Sequence, residues 1–357
     1  MNSRKGFSLV EAMVVLVLMV LIMSSVYMMI MYYRDVSGTE QARVRQTQES
    51  RFLLSVFSSE LKNAGAVMTL VNTGGFLSTP PYFNGIYPLN NTNFPDGVIM
   101  ASGDPNAVSK LTDAVDPSND VDLPLNNTIA TPSWGIGDLG ILIGPQGFYV
   151  FSVENVSVGV SLTMEATPVY YSGLLNTAHY DDPETVMGNA VEYPVNAPVM
   201  RLADFSIYLI EEHNDAEKGR NVRNLVRISD CKGIPGVLEN NDPVNGPVKG
   251  VIAENVWDLQ LVYSAYPDFP NVTPRNDFFT AGATGTLDDL LTALRVKTFK
   301  EIRVNVVALT DDYPGQGTIT YPLPLLADRP ATNLPPGKFS YKIYSFLIEP
   351  RNFNIKI

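Results

Sequence analysis

The chain has 357 residues, of which 45% are hydrophobic and 17% are charged, and its formal net charge at pH 7 is −12. This composition excludes an intrinsically disordered chain, and the length allows one large domain or two ordinary ones. The acidic balance argues against nucleic acid as a general partner, because its phosphates would be repelled and binding would release no counterions.

The first six residues form a short polar leader that contains Arg4 and Lys5 and ends at Gly6. An uncharged run extends from Ala12 to Tyr33. As a helix rising about 1.5 Å per residue, this run would reach about 33 Å, which is enough to cross the core of a bilayer. The basic leader would stay on the cytoplasmic side, so the rest of the chain would face outward.

Glu11 lies at the mouth of this apolar helix, where a carboxylate is costly to desolvate unless something pairs with it. A cleaved secretory signal does not fit, because the apolar run is too long and offers no small-residue cleavage site. A buried helix of a soluble domain would show a polar face, and none is visible. An ordinary signal anchor fits the length but leaves Glu11 without a role.

The run from Gly6 to Glu11, GFSLVE, resembles the processing motif of type IV pilins and type II secretion pseudopilins. The resemblance implies that prepilin peptidase cuts between Gly6 and Phe7 and that the new amine of Phe7 is methylated. In a filament, Glu11 would then pair with that amine on a neighbouring subunit. Because either charge alone is expensive to bury, the pairing favours one axial register during assembly.

The helical pattern continues past Tyr33 to about Asn63, with good helix formers and a single glycine, Gly38. An apolar stripe at spacing four predicts a face that packs on the protein's own sheet rather than on a partner. The stripe consists of Leu53, Leu54, Phe57 and Leu61. The charged residues expected at more solvated positions are Arg34, Arg43, Arg45, Glu49, Arg51 and Glu60. Asn63-Ala64-Gly65 predicts the end of the helix, and Gly38 and the Ser24-Ser25 pair are the expected bends.

From Ala66 onward the pattern changes to short apolar runs separated by Pro, Gly, Asn and Asp, which predicts strands and turns. The predicted strands are Val98–Ala101, Leu139–Ile143, Phe148–Val156, Val158–Met164, Ser206–Ile210, Leu225–Ile228, Val256–Ala265, Ile302–Leu309 and Ser340–Ile348. Turns are expected at 135–138 and 144–147, and a short helix at Leu287–Val296. The predicted fold class is α+β and type IV pilin-like. Residues 1–6 are the leader, 7–33 the transmembrane or filament-core helix, 34–65 its continuation and 66–357 a β-rich head.

Several pieces of the head resemble the minor-pilin branch often called PilW-like, which is related to the J-type secretion pseudopilins. The pieces are 51–65, 135–143, 252–263, 302–309 and 344–353. The resemblance implies a low-abundance subunit that helps to initiate or tip a type IV pilus. It also implies storage in the inner membrane with the head in the periplasm, and later export in the pilus. The implied partners are prepilin peptidase, an inner-membrane assembly platform, and other minor and major pilins.

Two alternatives stay open at this point. A type II secretion pseudopilin would share the same N-terminal features. A membrane-anchored periplasmic protein that binds or hydrolyses a ligand would use the same apolar helix only as an anchor, and its N terminus would remain intact.

The inventory of chemically reactive residues does not predict an enzyme or a bound cofactor. Cys231 is the only cysteine, so neither an internal disulfide nor a cysteine-based zinc site can form. With only His179 and His213, a three-histidine metal site is also excluded. Residues 116–122 place acidic side chains at Asp116, Asp120 and Asp122, as calcium loops do, but without the central glycine and the closing glutamate. We retain calcium at these three residues as a hypothesis.

Overall fold

The computed structural model describes fifteen stretches of the chain. They are 9–66, 85–89, 94–117, 122–126, 134–144, 148–158, 162–168, 192–215, 220–229, 248–265, 278–279, 299–310, 322–323, 332–334 and 339–350.

One long helix, α1, spans Leu9–Asn63 and confirms the prediction of a continuous helix in this region. It passes through Gly38 and the two serines without a break. Ser24 and Ser25 donate hydroxyl hydrogen bonds to the backbone carbonyls three residues earlier, at 3.0 and 2.8 Å. Both polar side chains therefore find their hydrogen-bond acceptors within the helix. The bends expected at these positions stay predictions.

The remaining described elements are strands. They are β1 (Ile86–Leu89), β2 (Gly97–Lys110), β3 (Asp122–Leu125), β4 (Leu139–Ile143), β5 (Phe148–Val158), β6 (Leu162–Pro168), β7 (Pro198–Asp215), β8 (Arg220–Ser229), β9 (Val248–Ala253), β10 (Val256–Ala265), β11 (Phe278–Phe279), β12 (Phe299–Leu309), β13 (Pro322–Leu323), β14 (Thr332–Asn333) and β15 (Tyr341–Ile348). A long helix that leads into antiparallel sheets confirms the α+β class.

The large sheet has nine strands and branches at β7. One side of β7 pairs with β2, which carries β1 on its far edge. On the other side, the beginning of β7 pairs with β4, and the order continues through β5 and β6 to β3. The later half of β7 pairs instead with β8, which in turn pairs with β9. The 18-residue length of β7 is what allows one strand to serve both branches.

The small sheet has the order β11-β10-β12-β15, again antiparallel throughout. One of its links to the large sheet runs through Asp96, just before β2. The Asp96 amide donates to the carbonyl of Leu259 at 2.8 Å, and its carboxylate accepts from the amide of Leu261 at 2.8 Å. Both bonds reach β10, so one buried aspartate fastens the two sheets together.

The principal core lies between α1 and both sheets. The stripe predicted on the helix enters this core: Leu53, Phe57 and Leu61 are 0 to 2% exposed, and Leu54 packs beside them. Phe57 meets Tyr208 of β7 edge to face, with ring centroids 5.0 Å apart. The stripe is therefore internal packing, as predicted.

The helix ends where the sequence indicates. Gly65 adopts a φ of +74°, a left-handed conformation suited to glycine, and donates its amide to the carbonyl of Ala101 in β2 at 2.8 Å. Gly85 passes so close that a Cβ placed on it would lie 2.3 Å from the Cα of Gly65. The two glycines allow the end of α1 to sit directly against the start of the sheet.

Most predicted strands lie within observed ones, but one prediction is wrong. The predicted strand Val158–Met164 joins the end of β5 to the start of β6, which pair antiparallel with Val158 opposite Leu162. The chain must therefore reverse between these two residues. The predicted helix Leu287–Val296 lies outside the described residues.

The turns around the β4–β5 hairpin agree with the prediction. Gly137 has a φ of +82°, and the Asp138 amide donates to the carbonyl of Gly135 at 3.1 Å. β4 and β5 then pair directly, with Ile143 opposite Phe148. Gly144 precedes this reversal, and 145–147 lie outside the described residues.

Candidate assembly and membrane-anchoring site

The N-terminal part of α1 carries apolar side chains on every face. All residues from Leu9 to Arg34 are exposed, and the large apolar ones among them are 40 to 79% exposed. The described part of the head covers none of this segment, which we call the stem. A helix that is apolar all round needs lipid or other subunits to cover it, because so much apolar surface is unfavourable in water.

By length and composition, α1 is able to cross a membrane. From Leu9 to Tyr33 it extends about 36 Å at a rise of about 1.5 Å per residue, compared with about 30 Å for the hydrocarbon core of a bilayer. The stem therefore matches a single membrane crossing, and the same surface could line the centre of a helical bundle.

Glu11 lies in the first turn of α1 and is exposed. A carboxylate in this turn interacts favourably with the amide groups at the helix N terminus. It is the only acidic residue among the stem residues described. Gly6 and Phe7 lie outside the described residues, so the cleavage site and the pairing with the new amine stay predictions.

The stem continues into the head as one helix, and Arg45 and Gln46 of α1 make polar contacts with the head. Arg45 pairs with Glu49 one turn later, at 2.8 Å, and with Glu254 between β9 and β10, at 2.9 Å. Gln46 is buried and donates its amide to the carbonyl of Ala308 in β12 at 2.8 Å. These contacts fix the direction in which the stem leaves the head.

Glu60 makes a partly buried polar contact between helix and head; it is more solvated than the stripe, as predicted, but its carboxylate is paired with the head. Its carboxylate pairs with Arg227 of β8 at 3.0 Å and accepts from the Ser206 hydroxyl at 3.0 Å. Burial acts to lower the pKa of Arg227, but Glu60, Tyr208 and Asp204 together raise that pKa overall. Burial, with Glu60 nearby, also raises the pKa of Tyr208 above its ordinary value. Sequence spacing carries no signal for the Glu60–Arg227 pair, because the two residues are 167 positions apart.

Two other charged clusters connect strands within the head. Arg201 of β7 pairs with Asp104 of β2 and, at 3.2 Å, with Asp138 before β4. The hydrogen bond from Arg201 is the main cause that lowers the pKa of Asp104. The guanidinium of Arg223 in β8 lies 4.0 Å from the ring centre of Trp257. Arg201 therefore connects β7 to β2 and to the residue before β4, whereas Arg223 connects β8 of the large sheet to β10 of the small sheet.

The proposed calcium ligands are only partly described. Asp116 lies just after the bridge between Val115 and Tyr193, and Asp122 begins β3, where it faces Glu165 of β6 in the strand register. Asp120 lies outside the described residues. Within the described stretches, no group of three or more His, Cys, Asp or Glu side chains is placed to hold a metal ion. The calcium hypothesis stays a prediction.

The two histidines cannot be compared in space, because only one of them is described. His213 lies in β7 opposite Val222, is exposed, and stands near the end of the β7–β8 hairpin. His179, like Cys231, lies outside the described residues.

Comparison with known families identifies the N terminus. Residues 1–27 match a family model described as the prokaryotic N-terminal methylation motif. This match indicates a prepilin-type protein, the class that contains pilins and pseudopilins, and it implies processing by prepilin peptidase and assembly with pilins in general. No curated protein and no solved structure matches the chain.

Proposed function

We propose that this protein is a minor pilin, a structural subunit that helps to initiate or tip a type IV pilus. The observation that carries the proposal is the stem itself. A segment that matches the methylation motif leads directly into an exposed apolar helix with one carboxylate in its first turn. Such a helix suits a bundle built from many copies of similar helices, since the other helices would cover the apolar surface that the described head leaves open.

The role of Glu11 in this proposal is electrostatic. A carboxylate carried into an apolar bundle is costly, and so is the positively charged N-terminal amine left by cleavage at Gly6. Pairing the two charges between subunits offsets both costs only when the subunits are in the correct axial register. Glu11 would therefore select the register rather than supply net attraction.

The size of the head favours a minor subunit over the main one. Residues 66–357 exceed the usual domain size of about 50–250 residues. A subunit repeated along a shaft must fit its head between neighbours at every step of the helix. A large head is easier to place at an end of the filament, where neighbours are present on one side only.

The experiment compares two glutamates on the same helix. We expect Glu11→Ala to insert in the membrane normally and to be strongly depleted from sheared filaments. Glu40→Ala is the matched control, because Glu40 is exposed and pairs with Arg43 within its own helix at 3.1 Å. This control should be incorporated as the parent is. Equal incorporation of the two variants would contradict the proposed role of Glu11.

A gene deletion tests the role of the subunit in initiation. Loss of an initiating or tip subunit should reduce the number of filaments per cell without changing their length or the composition of the shaft. Unchanged filament number would contradict the proposal. A deletion that blocked protein secretion and left surface filaments intact would instead favour a type II secretion pseudopilin, which shares the same N-terminal motif.

A further inference from the structure

We propose that Tyr32, Tyr33 and Arg34 form a girdle that binds the lipid–water boundary on the outer side of the membrane and sets the depth of the stem. This inference rests on the membrane-stored state within the proposed function and does not depend on filament assembly.

The two ends of the uncharged run are spaced to match a bilayer. Glu11 and Arg34 flank that run, and they are about 34 Å apart at a rise of about 1.5 Å per residue. This slightly exceeds the thickness of about 30 Å of the hydrocarbon core. When Arg34 lies among the outer headgroups, Glu11 therefore lies at the opposite headgroup layer, where its carboxylate remains hydrated.

Tyr32, Tyr33 and Arg34 lie within one turn at the end of the uncharged run, whereas Tyr27 lies about 9 Å deeper along the axis than Tyr33. Tyr32 and Tyr33 are 67 and 59% exposed, and Arg34 is exposed as well. With about 100° of rotation per residue, these three side chains point in three directions roughly 100 to 160° apart. Polar-tipped side chains on three sides at one depth fit a lipid boundary, since tyrosine places its ring among acyl chains and its hydroxyl among headgroups.

Beyond the girdle the helix becomes polar before it reaches the head. Asp35 and Glu40 are its next acidic residues, and its first buried residue among those described is Gln46. The distance from Tyr33 to Gln46 is about 20 Å along the helix axis. Among the described residues, full burial of the helix against the head therefore begins about 20 Å beyond the girdle.

The inference is tested by measuring the depth of single side chains in pure lipid. The full-length chain is placed in phospholipid vesicles, without any other protein, and one residue at a time is replaced by tryptophan. The probes at the girdle are Tyr32→Trp and Tyr33→Trp. Quenching of the added fluorescence is compared between lipids brominated near the carbonyl end and lipids brominated near the methyl end of the acyl chain, after subtraction of the parent signal.

Two matched controls on the same helix define the scale. Ile22→Trp lies midway between Glu11 and Tyr33 and should be quenched most by bromine near the methyl end. Phe52→Trp lies about 28 Å beyond Tyr33 along the axis, and neither lipid should quench it. Both girdle probes should be quenched most by the shallow bromines.

The possible outcomes distinguish this inference from the proposed function. If any girdle probe is quenched like Ile22→Trp, or escapes quenching like Phe52→Trp, the girdle is not a lipid boundary and the inference is wrong. Because no filament forms in these vesicles, the girdle can be correct even if Glu11→Ala is incorporated normally into filaments.

Discussion

Replacing Phe57 with alanine is expected to destabilise the head more than any other single change on the helix. The side chain is fully buried, lies between Leu53 and Leu61, and packs edge to face on Tyr208 at 5.0 Å. Its removal loses the burial of the ring and leaves a cavity between the helix and the sheets. Substitutions of this kind cost about 3–5 kcal/mol, and the lost aromatic contact accounts for about 0.5–1.5 kcal/mol of that.

Phe52 provides the control, because it belongs to the same helix and is 56% exposed. Phe52→Ala should change the free energy of unfolding by no more than about 0.5 kcal/mol. Both variants can be measured as full-length chains in detergent by urea unfolding, with the fluorescence of Trp134 and Trp257 as the signal. Equal destabilisation by the two changes would show that the helix is not packed on the head through the Phe57 stripe.

Three further predictions concern polar groups. Glu60→Ala should destabilise the head by about 1–3 kcal/mol, because it leaves Arg227 partly buried without its main partner, and urea midpoints would measure this. Asp104→Asn should destabilise at pH 7 by about 1 kcal/mol or less. The pKa of Asp104 is lowered below its ordinary 3.8 by Arg201, so its contribution is present above that pH and is lost as the pH falls through the folded value. The midpoints of the parent and Asp104→Asn should therefore converge in acid, and a constant difference would contradict this cause. Tyr193→Phe should be neutral or stabilising, because the Tyr193 hydroxyl is buried and makes no hydrogen bond in the described structure; a clear loss of thermal stability would show that the hydroxyl has a partner.

The features of α1 were predictable because they are local. The apolar run and the spacing of Leu53, Phe57 and Leu61 repeat with the period of a helix, and Gly65 supplies the left-handed residue that ends it. The pairing of Glu60 was not predictable, since its partner Arg227 comes from a strand far along the chain. A charge on a helix surface is usually solvated, and only the fold brings a basic strand residue against it.

The strand predictions failed where a turn signal was weak or misleading. Between Val158 and Leu162 the chain contains Gly159, a signal for a short hairpin that the alternating apolar residues on both sides obscured. In β2 the error has the opposite sign, because a segment with a turn-like composition lies inside a strand. Asp104-Pro-Asn106 has the composition of a turn, yet the strand continues through it, with a register shift between Gly103 and Val108. The Asp104 carboxylate accepts a hydrogen bond from the backbone amide of Asn106 at 2.9 Å, so this amide has a partner within the irregular part of the strand.

The candidate site was predictable from its sequence to a large extent, because its chemistry depends on order along the chain rather than on folding. The leader, Glu11 and the uncharged run lie within the first 33 residues, and the methylation motif matched at residues 1–27 covers most of them. The head offers no such motif. Its role depends on which surfaces meet neighbouring subunits, and a single chain does not encode that in a short pattern.

The most direct test of the prepilin assignment is mass spectrometry of the N-terminal peptide of the protein isolated from its native membrane. We predict a chain that begins at Phe7 and carries one methyl group on its amine. A Gly6→Ala or Gly6→Leu variant should reduce this product and leave the leader attached. An intact Met1 in the mature native protein would contradict the assignment and would favour a simple membrane-anchored protein.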